Sequence, residues 1–89
     1  MQKLDNPGFL TLKNGNKVIL KDFKEDINLL IVDKNDNNLW DFKEINSLDG
    51  VVKIELDDEE YLYIYTFYSM FYKINANTFE VVSKKQIGK

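Results

Sequence analysis

The feature that most limits what this chain can become is a two-residue rhythm of apolar side chains, broken at short intervals by clusters of Asn, Asp and Gly. Successive side chains on an extended strand point to opposite faces, so such alternation specifies strands with one covered face. Phe9-Leu10-Thr11-Leu12-Lys13 and Lys17-Val18-Ile19-Leu20-Lys21 flank Asn14-Gly15-Asn16, a hairpin whose Asn-Gly supplies positive φ angles. Leu29-Leu30-Ile31-Val32 and Leu39-Trp40-Asp41-Phe42 flank the polar stretch 33–38, a second hairpin with a longer loop. Asp49-Gly50 opens Val51-Val52-Lys53-Ile54-Glu55-Leu56, which places Val52, Ile54 and Leu56 on one face and Lys53 and Glu55 on the other.

An acidic turn, Asp57-Asp58-Glu59-Glu60, leads into Tyr61-Leu62-Tyr63-Ile64-Tyr65-Thr66-Phe67-Tyr68. This segment is apolar or aromatic on both faces, the pattern of a central strand covered on both sides. Phe71-Tyr72-Lys73-Ile74, the turn Asn75-Ala76-Asn77-Thr78, and Phe79-Glu80-Val81-Val82-Ser83-Lys84 complete a meander. The expectation is one domain, mainly β: a small antiparallel sheet, sandwich or open barrel of about seven to eight strands. One segment pulls the other way. Asp22-Phe23-Lys24-Glu25 has the spacing of a helix capping box, and Phe23, Ile27 and Leu30 fall at i, i+4 and i+7. A short helix within 22–30 would make the fold α+β. The same tetrapeptide recurs as Asp41-Phe42-Lys43-Glu44.

Composition then narrows the function. At 89 residues the chain has room for a single small domain, and 44% apolar residues, among them one Trp, five Tyr and six Phe, can fill a core. There is no Cys, no His and no Arg. Thiol nucleophiles, imidazole acid–base or metal chemistry and guanidinium clamping of phosphate are thereby excluded. No glycine-rich phosphate loop or nucleophile elbow is present, so neither an enzyme nor a cofactor is expected. Lys and Arg together number 12 against 15 Asp and Glu, and the lysines are dispersed, with acids beside the aromatic strand. Nucleic acid is therefore not an expected partner. No run of apolar residues is long enough for a transmembrane helix, and the first eight residues do not resemble a signal peptide, so a cytoplasmic location without membrane contact is expected.

Three constellations remain. Asp33, Asn35, Asn37, Leu39, Asp41 and Glu44 fall at positions 1, 3, 5, 7, 9 and 12 of a calcium-loop pattern, with Asn38 where that pattern takes Gly. The competing reading is a hairpin loop built from turn-forming residues, which leaves no metal site. Asp57, Asp58, Glu59 and Glu60 form a solvated turn or an acidic contact patch that steers a basic partner. Tyr61, Tyr63, Tyr65 and Phe67 share one strand face, expected to be core; were it open, it would suit a protein interface.

The stretch 50–85, from Gly-Val-Val-Lys-Ile-Glu-Leu through Thr-Phe-Glu-Val-Val, resembles the closing meander of small β-rich immunity proteins from bacterial toxin systems. Around Tyr72-Lys73-Ile74-Asn75 and Thr78-Phe79-Glu80-Val81 it also resembles one β-propeller blade, which a chain of this length cannot close alone. The immunity resemblance implies a non-enzymatic inhibitor that occludes a cognate toxin enzyme, a protein partner. The residues leave open a calcium-binding module using the 33–44 loop, or a structural or phage assembly subunit that pairs through an exposed strand edge. On the residues themselves, contact is expected through Asp33, Asp36, Asp57, Asp58, Glu59, Glu60, Tyr61 and Tyr63.

Overall fold

A computed structural model describes residues 1–5, 7–22, 24–44 and 49–87. Among these lie nine strands: β1 (Gln2–Asp5), β2 (Gly8–Thr11), β3 (Lys17–Leu20), β4 (Leu29–Val32), β5 (Asn38–Asp41), β6 (Val51–Leu56), β7 (Tyr61–Thr66), β8 (Met70–Asn75) and β9 (Val81–Gln86). A 3-10 turn, Phe42–Glu44, follows β5. The mainly β expectation holds, with the strands divided between a five-stranded sheet, β1-β6-β7-β8-β9, and a four-stranded sheet, β2-β3-β4-β5. Every neighbouring pair is antiparallel.

Alternation explains how the two sheets share one core. Val18, Leu20, Leu29, Ile31 and Trp40 come from the four-stranded sheet. Ile54, Leu56, Leu62, Ile64, Tyr72 and Ile74 come from the other. All are buried in one cluster, each aliphatic side chain contributing about 1.5–3 kcal/mol by leaving water. Phe42 meets Tyr72 edge-on with ring centroids 5.3 Å apart. On the margin formed by β5 and β9, buried Trp40 stacks against Phe79 at 6.4 Å. On the opposite margin the chain passes directly from β1 to β2. There Gly8 leaves room for Leu4, since a Cβ on Gly8 would lie 2.7 Å from Leu4 Cδ1.

Four sequence expectations need correction. No helix forms among the described residues of 22–30, and Phe23 lies outside them. Asp22 does cap the backbone, accepting the Lys24 N–H on Oδ1 and the Glu25 N–H on its carbonyl, but only a turn results. Continuation as helix would forfeit the pairing of Leu29–Val32 with β3 and the burial of Leu29 and Ile31. Second, Val51 rather than Val52 faces the core. The register shifts between Val51 and Lys53, and such a bulge moves one residue off the alternation. Third, Gln2–Asp5 adds a ninth strand, an edge strand on which only Leu4 is even half-buried. Fourth, the tyrosine face of β7 is not covered. Tyr61, Tyr63 and Tyr65 are half-buried on the outer surface of the five-stranded sheet, while Phe67 and Tyr68 leave the strand and are exposed in the following turn.

Candidate functional site

One local device recurs at most of the hairpin ends. In the segments beginning at Leu12, Asp33, Asp57 and Thr66, the first residue's carbonyl accepts the N–H of the fourth, at 2.9–3.1 Å. That fourth residue has positive φ: Gly15 at 95°, Asp36 at 67°, Glu60 at 64° and Ser69 at 65°. This is a type I turn closed by a left-handed residue, a geometry in which the turn's own twist matches that of the strands. Side chains reinforce it. Asp33 Oδ1 accepts the N–H groups of Asn35 and Asn37, and Asp57 Oδ1 those of Glu59 and Tyr61. Asn75 caps its longer turn in the same way, receiving the N–H groups of Asn77 and Thr78.

Four of these turns meet at one pole of the sandwich, and Glu60 fastens three of them. Its carboxylate is buried, taking the Lys13 N–H at 2.7 Å and the Asn77 side-chain amide at 3.0 Å. Its backbone carbonyl takes the Ala76 N–H at 3.0 Å. Asn14 donates to Asn77 Oδ1, and Lys13 Nζ donates to the carbonyl of Asp58. The turn carrying Asp33 and Asp36 is brought alongside through Lys17, which pairs with Val32 in the sheet and lies 3.8 Å from Asp36.

All eight residues expected at a contact surface therefore lie at or beside this pole, in different roles. Asp36, Asp58 and Glu59 are exposed. Asp33 caps its own turn, Asp57 caps its turn with Oδ1 and takes the Tyr63 hydroxyl on Oδ2, and Glu60 is a buried clamp. Tyr61 and Tyr63 begin the open face of β7. The calcium pattern is not gathered into one loop: residues 38–41 are extended in β5, and Asp41 lies opposite Leu30, at the far end of the β4–β5 pair from Asp33. Among the described residues no group of acidic side chains is arranged to hold a metal ion.

Hydrogen bonding sets the electrostatics of the turns. The Asn37 side-chain amide is the largest influence on Asp33, and with the N–H groups of Asn37 and Asn35 it holds that carboxyl below its ordinary range. Burial alone would raise Asp57, but the Tyr61 N–H, the Tyr63 hydroxyl at 2.8 Å, the Glu59 N–H and Lys73 outweigh it, and the net shift is downward. The same bond to Asp57 is the main cause that raises Tyr63. Tyr65 is raised chiefly by burial, then by the charge of Glu55, to which its hydroxyl donates at 3.3 Å.

These shifts fix a stability profile. Depressed carboxyls stabilise the fold above their unfolded pKa, about 4, and that contribution is lost as pH falls through the lower folded values. Raised phenols stabilise it below about pH 10, and that contribution is lost as pH rises through the folded values. Urea midpoints measured against pH should therefore fall on both flanks. Tyr63→Phe should reduce the alkaline loss and Asp57→Asn the acid loss. Phenol absorbance showing all five tyrosines titrating together at the free value would overturn the assignment.

Sequence reasoning missed two surfaces. Lysines that look dispersed along the chain converge on the outer face of the five-stranded sheet, because Lys3, Lys53, Lys73 and Lys85 all occupy outward positions there. Lys53 lies over the Tyr65 ring, Lys73 over Tyr61 and Tyr63, and Lys85 over Phe71, at 4.5–5.6 Å. Alternation together with strand order holds this signal, and strand order is not readable from one sequence. The second is an open concavity of about 480 Å³ on the four-stranded sheet, floored by Pro7, Phe9 and Ile19 and rimmed by Lys17, Lys21, Asp22, Glu25 and Asp36.

The class these features define is a two-sheet antiparallel β domain with acids gathered on its turns and lysines on one sheet face. No family model, curated protein or solved structure matches the chain. Among the described residues no helix is long and apolar enough to cross a membrane.

Proposed function

We propose that this chain is a non-catalytic protein-binding domain, an inhibitor of the immunity-protein kind, whose turn pole covers a basic site on a partner protein. The observation that carries the reading is the convergence at one pole of six carboxylates, those of Asp33, Asp36, Asp57, Asp58, Glu59 and Glu60, against Lys13, Lys17, Lys34 and Lys73. Rigidity supports it as well. Turns cross-linked by Glu60, Asn14 and Asn77 lose little freedom on binding, which lowers the cost of association. Asp36 also stands on the rim of the concavity, where Lys17 lies 3.8 Å from it and 5.9 Å from the centre of the Phe9 ring, so a partner's basic side chain would have to displace Lys17 to reach Asp36; Glu25 is a further carboxylate on that rim. With no His, Cys or Arg in the chain, occlusion by shape and negative potential is the mechanism these residues support.

The test is affinity capture from native lysate, followed by titration of the purified partner against wild type and a triple variant, Asp36→Asn, Asp58→Lys and Glu59→Lys, in which asparagine keeps the left-handed backbone of position 36. Wild type should retain a basic protein in a salt-sensitive complex. The variant, whose substitutions are at exposed positions, should fold normally and bind about tenfold or more weakly. Failure to recover any partner, or an equally tight complex with the variant, would overturn the proposal.

A further inference from the structure

We propose that the free edge of β9 accepts an extended acidic segment of a partner protein as an additional strand, selected by Lys84 and Lys85. Among the described residues β9 is hydrogen-bonded in its sheet to β8 alone, so one row of its backbone N–H and C=O groups is available for pairing. It spans six residues, all exposed except half-buried Ser83.

Register shows what this edge would read. Ser83 and Lys85 lie opposite Lys73 and Phe71 on the outer face, whereas Val81 and Lys84 lie opposite Ile74 and Tyr72 on the other face. Each face of the edge thus carries a lysine toward the C-terminal half, while Val81 and Val82, 40% and 51% exposed, occupy the N-terminal half. β9 contains no carboxylate. The acids on outer-face strand positions, Asp5 and Glu55, lie across the sheet on β1 and β6, with Glu55 within 4.0 Å of both Lys3 and Lys53, and Asp57 at the turn is held by the Tyr63 hydroxyl.

Occupancy follows from charge. A second copy arriving antiparallel would set its own Val81 and Val82 against Lys84 and Lys85, and its β9 has no carboxylate to meet either charge. An acidic strand meets both charges and gains the backbone bonds, the mode known as strand addition. An antiparallel arrival, the sense of every strand pair among the described residues, would set acids in the N-terminal half of the incoming segment against Lys84 and Lys85. Apolar residues in its C-terminal half would meet Val81 and Val82. This surface is separate from the acidic pole, and its test stands or falls independently.

The experiment uses the full chain and a blocked synthetic peptide with glutamates in its N-terminal half and valines in its C-terminal half. Amide NMR should show shifts and slowed hydrogen exchange at Val81–Gln86. Affinity should fall about tenfold in a Lys84→Glu, Lys85→Glu variant. A lysine-for-glutamate peptide, and an acidic peptide N-methylated at alternate amides, should both fail to bind. The proposal is overturned if β9 amides are not protected, or if the N-methylated peptide binds as well as the parent. It is equally overturned if sedimentation shows a dimer through β9 without peptide, or if oligo-dT protects the same amides as strongly.

Discussion

Truncating Ile64 to alanine should cost about 2–5 kcal/mol, a large share of the stability of a domain this small, which is of order 5–10 kcal/mol. Ile64 sits on β7, the middle strand of the five-stranded sheet, fully buried and flanked in register by Ile54 on one side and Tyr72 on the other. Both neighbours are themselves paired within the sheet, so the backbone cannot collapse to refill the space, and the cavity term adds to the lost transfer energy. Trp40, the chain's single tryptophan and itself buried, reports unfolding by its emission. With a urea slope of about 1–1.5 kcal/mol per molar, the midpoint should drop by about 1.3–5 M. Tyr65→Ala, one position along the same strand but on the open face, should cost about 1 kcal/mol, because it removes a half-buried ring and its contacts with Lys53 and Phe71. Equal losses at the two positions would mean that both faces of β7 are covered, and the two-sheet arrangement would be wrong.

That contrast marks how far sequence alone reaches. Alternation located eight of the nine strands, since Leu62, Ile64 and Thr66 cannot share a face with Tyr61, Tyr63 and Tyr65 on any strand. It pointed wrongly to cover on both faces, because tyrosine suits both core and surface and the answer depends on which strands lie across the sandwich. β1 escaped notice because Gln2, Lys3 and Asp5 are polar and a sheet edge tolerates them. Alternation put Val52 on the face of Ile54 and Leu56, and only the bulge, which strand pairing creates, gives that face to Val51. The acids of the site were legible as residues but not as roles. Asp33 and Asp57 stand first in turns whose fourth position is left-handed, and the resemblance between Asp33-Lys34-Asn35-Asp36 and Asp57-Asp58-Glu59-Glu60 is the signal that could have revealed them as caps. Glu60 gave no such sign: its burial depends on Lys13 and Asn77, distant in sequence and joined to it only by the fold.

At the other pole, Asn28 does for the loop of residues 21–28 what Glu60 does for the turns. It is buried, its Oδ1 accepts the Val51 N–H at 3.0 Å, and its amide donates to the carbonyls of Val51 at 2.6 Å and Lys21 at 3.2 Å. The side chain thus imitates a strand residue and ties the four-stranded sheet to the start of β6. It also sets the loop that carries Lys21, Asp22 and Glu25 to the rim of the concavity. Asn28→Ala would leave these buried backbone groups unpaired and should cost about 2–4 kcal/mol in urea unfolding. Asn28→Asp keeps the shape and separates hydrogen bonding from packing. The introduced carboxyl would face two carbonyls and can satisfy one only while protonated, so its folded pKa must rise above the unfolded value of about 4. Its stabilising contribution is then present below that value and lost as pH rises through the folded pKa. Compared with wild type at each pH, the variant should show only part of the alanine loss near pH 3, where one carbonyl is still unpaired, and approach the full alanine loss at pH 7. A difference from wild type that stays constant across that range would show that the Asn28 amide does not donate to these carbonyls.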